Sequence, residues 1–141
     1  MSPLDPPFKA WVAKADGDLL NIANNLAAKR VPWDTVCFHA QQAAEKLLRA
    51  FLVWKGHDLV RTHDLVALLA QCAALDQSLA SLEDDCRRLT YYAIGARYPD
   101  TLYEPDEEDG RLMVAAMHRI RDAIVLRLPP LGSSEGGPTT T

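Results

Sequence analysis

Four polar side chains, His39, Gln42, Lys46 and Arg49, recur at i, i+3, i+7 and i+10, a spacing that puts them on one face of a helix. Two cations, an amide and an imidazole on one face offer donors to a phosphate, and Glu45 can pair with Arg49 four residues on. The same pattern also describes the solvated face of a long amphipathic helix, so spacing alone leaves both readings open. Arg97 ends an otherwise apolar segment beside Tyr98-Pro99-Asp100. A guanidinium at such a helix-to-loop corner can grip a phosphate through two N–H groups, or it can pair with Asp100 or cap the last carbonyls. Tyr91, Tyr92, Tyr98 and Tyr103 lie close by in sequence. They could stack a base, although tyrosines at helical spacing more often belong to a core. His63, within Arg61-Thr62-His63-Asp64, stands at a helix start without a neighbouring nucleophile, which favours a structural role, and His57 reads as a loop histidine.

The composition bounds what these groups can do. A net charge of −4 excludes a protein that coats nucleic acid through bulk positive charge, so any contact with RNA or a nucleotide must be local. Hydrophobic residues at 48% against 24% charged are too many for a disordered chain, and 141 residues suit one core. Cys37, Cys72 and Cys86 are odd in number and widely spaced; they read as buried thiols rather than a disulfide framework or a zinc knuckle. With no Asp/His cluster at ligand spacing, neither a metal nor a cofactor is expected. No apolar run approaches the roughly 20 residues that cross a bilayer, and MSPLDPPFKAW lacks the pattern of a signal peptide, so no membrane contact and a cytoplasmic setting are expected.

The elements that would position these residues are helices, because apolar residues recur at helical spacing in every segment and no strand-like alternation is long enough for a sheet. The first helix is expected to begin with Asp5 as its cap and Pro6 at the first helical position, to carry Trp11, Ala15, Leu19, Ile22 and Leu26 as its apolar stripe, and to end before Lys29, Arg30 and Pro32. The second runs from Trp33 or Asp34 to Lys55 and stops at Gly56. Val36, Ala40, Ala43, Ala44, Leu47, Phe51 and Trp54 make one face of it, and Phe38, Leu48 and Leu52 spill onto another. Such a helix must be central or must touch a second subunit. A short third helix is expected to be capped by Thr62, and a fourth to open at Ser81 with Asp84 three residues on and to close at Tyr98-Pro99. Pro105 with Asp106, Glu107, Glu108 and Asp109 marks the start of a fifth, whose stripe is Leu112 or Met113, Ala116, Met117, Ile120, Ile124 and Leu128. The fold class is therefore all-α, a bundle of four to five helices, with residues 1–7 as a lead-in and 129–141 as a disordered tail.

Three blocks in order, CFHAQQAAEKLLRAFLVWKG, RTHDLVALL and TYYAIGARYPD, make residues 8–128 resemble the HEPN domain. That resemblance implies an up-and-down bundle, homodimerisation, and work beside a small nucleotidyltransferase or within toxin–antitoxin and RNA-processing systems. Catalytic members of the family are metal-independent ribonucleases marked by an arginine, a polar residue directly after it, and a histidine after four to six intervening residues. Arg97 lacks that histidine, since Leu102, Tyr103 and Glu104 occupy the candidate positions. Arg111 and His118 have six residues between them, but Leu112 stands where the family places a polar residue. They would lie two turns apart on one helix face, roughly 10 Å along the axis. The leading expectation is a non-catalytic, homodimeric module for a nucleotide, RNA or a nucleotidyltransferase-type partner, with Arg97, His39, Gln42, Lys46 and Arg49 as ligand-binding residues. The alternatives are an endoribonuclease in which His118 moves a proton while Arg111 or Arg97 stabilises the phosphorane, and a helical scaffold without a small-molecule site.

Overall fold

The computed structural model describes residues 4–96 and 105–130. Among them five α-helices follow one another: α1 Pro7–Leu26, α2 Trp33–Trp54, α3 Leu65–Leu75, α4 Glu83–Ala96 and α5 Glu107–Arg127, with a 3-10 helix Gln77–Leu82 leading into α4. No strand occurs among the described residues. The fold is the all-α bundle that the periodicity predicts.

Helix α2 is the axis of the bundle, and α1, α3, α4 and α5 all pack against it. Its Val36, Ala40, Ala43, Ala44, Leu47, Leu48, Phe51 and Leu52 are buried, facing Leu68, Leu89, Met113, Met117, Ile120 and Ile124 in the common core. The wide apolar circumference that the sequence offers to either the domain centre or a second subunit is thus taken up within one chain, and Phe38, 41% exposed, is the large apolar side chain of α2 left at the surface. Gly56 closes the helix at φ 72°, a left-handed conformation that a side chain would strain. The three cysteines are free and buried, as their settings predict. Burial pushes the thiol of each up to about 12.

Three helix starts differ from expectation. Pro6, not Asp5, is the cap residue of α1, and Pro7 takes the first turn; a residue that precedes a proline is held out of the helical region, which keeps Pro6 extended. Asp64 rather than Thr62 caps α3, accepting from the Val66 N–H, while Thr62 Oγ1 accepts from the Asp64 N–H. Asp76 rather than Ser81 caps the 3-10 helix that runs into α4, and the Ser81 hydroxyl donates back to the Ser78 carbonyl. The start of α5 matches expectation, with Asp106 and Asp109 forming a reciprocal capping box. Arg119 on α5 makes a two-point bond to Asp85 on α4, and Arg127 bonds Asp76 between α3 and the 3-10 helix, so the last helix is tied both to the fourth and to the turn that precedes it.

Candidate functional site

Among the described residues α1 packs against α2 alone, and beside it runs a polar strip of α2 less deeply buried than the helix's apolar face. The stripe read from sequence lies there: His39, Gln42 and Lys46 are half-buried and Arg49 is buried. What fixes them is Asp18 on α1, a carboxylate only 6% exposed. It accepts from His39 Nδ1 at 2.8 Å and from Lys46 Nζ at 2.6 Å. A carboxylate taken from water is held there only by hydrogen-bonded partners, so Asp18 fixes the imidazole and the ammonium against α1 with their outer edges still reaching solvent. Sequence reading missed Asp18. Its signal was present, because Ala15, Asp18 and Ile22 fall on one buried helix face where a carboxylate has no reason to be without a partner.

One turn further on, Glu45 is the second hub, 7% exposed. Its Oε2 accepts from Arg49 Nε at 3.1 Å, and its Oε1 accepts from Gln41 Nε2 at 3.2 Å and from His63 Nδ1 at 3.1 Å. Gln42 Nε2 donates to Gln41 Oε1 at 2.7 Å, which joins the half-buried Gln42 to the same network. The rest of the Arg49 guanidinium reaches across to the α2–α3 loop, where Nη1 donates to the Val60 carbonyl at 3.0 Å and Nη2 to the Thr62 carbonyl at 2.6 Å, with Trp11 of α1 5.9 Å from its centre. The Arg49–Glu45 pair expected from spacing is present. Arg49 pins the loop and keeps it extended up to Asp64, which is why α3 starts later than Thr62. A surface cavity of about 480 Å³ opens beside it, lined by Arg49, Leu59, Val60, Arg61, Thr62 and His63.

Arg111 and His118 lie elsewhere, on the outer face of α5. Arg111 is exposed, bonded to Glu107 one turn back at 2.8 Å and laid over the Trp33 ring at 5.3 Å. His118 is exposed as well. Among the described residues no carboxylate from another helix bonds either of them. Arg97, Tyr98 and Tyr103 lie outside the described residues, as does the chain after Pro130. Among the described residues no group of three or more His, Cys, Asp or Glu side chains is gathered to hold a metal ion, and no helix is long and apolar enough to cross a membrane.

The HEPN domain family model matches residues 8–128. The chain therefore belongs to the HEPN family, in agreement with the three sequence blocks and the helical bundle. No curated protein and no solved structure matches it.

Proposed function

We propose that this HEPN protein is a non-catalytic, homodimeric cytoplasmic module that binds a nucleotide or RNA through phosphate groups laid on the α2 strip, within a system that includes a nucleotidyltransferase-type partner, as in toxin–antitoxin pairs. The observation that carries the reading is Asp18 holding His39 and Lys46 together, both half-buried, on the polar strip of α2. Fixed donors lose little freedom when an anion arrives, which is the physical meaning of a preorganised site. Lys46 supplies the charge, and Gln42 and His39 supply further polar contacts beside it. Arg49 serves the site indirectly by fixing the loop. The surroundings of His118 support the non-catalytic reading: cleavage needs a titrating group within hydrogen-bond reach of the reacting oxygen, and among the described residues no carboxylate from another helix orients this imidazole. Because α2 is covered on its apolar side, the dimer must form through another surface.

Fluorescence anisotropy with a short single-stranded RNA tests this. Binding that falls about tenfold in Lys46→Ala, the loss of one charge-assisted contact, supports the strip as the site. Unchanged binding in Lys46→Ala moves the ligand elsewhere.

A further inference from the structure

Arg61 and the outer edge of the His63 ring take no part in the α2 strip. The Glu45 carboxylate can only accept, so its bond to His63 Nδ1 fixes the proton on that nitrogen and leaves Nε2 as the outward atom of the ring. The imidazole is 60% exposed and lines the cavity beside the α2–α3 loop. Arg61 lines the same cavity, is exposed, and has no ion-pair or hydrogen-bond partner among the described residues. Around them the buried pair Glu45–Arg49 is internally neutral, and the carboxylate of Asp64 is engaged in capping α3. The cavity thus presents one unpaired guanidinium and one oriented imidazole nitrogen, on a loop that Arg49 anchors by two carbonyls.

We propose that this cavity is a site for a phosphomonoester, the terminal phosphate of a nucleotide or of an RNA end; the inference rests on the nucleotide-binding reading above and names the group recognised. Arg61 grips two phosphate oxygens in its planar fork. His63 Nε2 shares a proton with a third. A phosphate monoester that keeps its second proton carries a P–O–H group, and that hydroxyl can donate to the lone pair of Nε2. A phosphodiester carries one charge and no such proton, and it would meet the bare lone pair of Nε2. The chemistry therefore favours a chain end over an internal linkage.

The test uses the full chain and two RNAs of one sequence, one with a 5′-phosphate and one with a 5′-hydroxyl. Wild-type protein should bind the phosphorylated RNA about tenfold more tightly, the worth of one charge-assisted contact, and inorganic phosphate should erase that advantage by competition. Arg61→Ala and His63→Asn should each make the two RNAs equivalent; asparagine places an amide near the Nδ1 position, so it keeps the bond to Glu45 and loses only Nε2. A nucleoside 5′-monophosphate that binds as tightly as the phosphorylated RNA would identify a free nucleotide as the ligand, and weaker binding would identify an RNA end. Equal affinity for both RNAs in the wild type, or an advantage that survives in both variants, overturns the proposal. If the RNAs bind equally and Lys46→Ala still weakens both, the strip stands without the terminal site; if neither RNA nor the nucleotide binds, both readings fail.

Discussion

The polar strip of α2 and the outer face of α5 each offer a histidine and cationic side chains, yet they are built differently. On the strip, His39 and Lys46 are held by Asp18 from another helix, and beside it His63 of the α2–α3 loop is held by Glu45 of α2, so these three groups are fixed from across the fold. On α5, the ion-pair partner of Arg111 among the described residues is Glu107 of its own helix, both side chains of that pair are 63% exposed, and its contact from another helix is the stack on the Trp33 ring. The difference is one of preorganisation. A cation fixed by a distant buried carboxylate has a set position before a ligand arrives, whereas a surface i, i+4 pair adds little rigidity and contributes little to stability.

Removing the buried hub should have the largest effect. Glu45→Ala leaves Arg49 buried without its carboxylate, which costs about 3 kcal/mol, and it also frees His63 and the loop. Chemical denaturation should show that loss, and a change under 1 kcal/mol would mean that the network is not a hub. At the junction between the regions, a Cβ on Gly110 would overlap Cε3 of Trp33. Gly110→Ala should therefore lose about 1–2 kcal/mol despite the better helix former, because the ring cannot move without opening the α2–α5 contact. A stabilised variant would show that the indole moves freely.

Beneath that junction, burial, then Asp109 and Asp34, pushes the Cys37 thiol up to about 12. The unfolded chain loses this proton first, so the contribution is complete below pH 9 and is lost as pH rises toward 12. Wild-type stability should fall above pH 9, and Cys37→Ala should reduce that fall by about 1 kcal/mol at pH 10. Parallel pH curves for the two proteins would place Cys37 in water. The smallest effect belongs to α5, where Arg111→Ala should change stability by about 0.5 kcal/mol or less, as for other exposed pairs. A larger loss in a thermal melt would mean that the stack on Trp33 matters more than exposure suggests.

Local signals made the fold legible. Gly56 closes α2, Pro105 and the acids after it open α5, and the apolar stripe of α5 runs from Met113 to Leu128 with Leu112 left 42% exposed. The misplaced caps at Thr62 and Ser81 both match cap chemistry but have different causes: Arg49 pins the loop before α3 from eleven and thirteen residues away, whereas Asp76 opens a 3-10 helix ahead of Ser81. At the site, the stripe on α2 was visible because it lies within one helix. Asp18 stands twenty-one residues from His39 and twenty-eight from Lys46, and Glu45 eighteen from His63; no periodicity links residues so far apart, and only packing brings them together.

The measurement that bears most directly on this account follows one RNA through binding and integrity assays, without metal, in wild-type protein, Lys46→Ala and His118→Ala. The RNA should remain intact throughout, binding should weaken about tenfold in Lys46→Ala, and His118→Ala should match the wild type in both assays. RNA cleaved by the wild type and left whole by His118→Ala would contradict the account and move the function to α5.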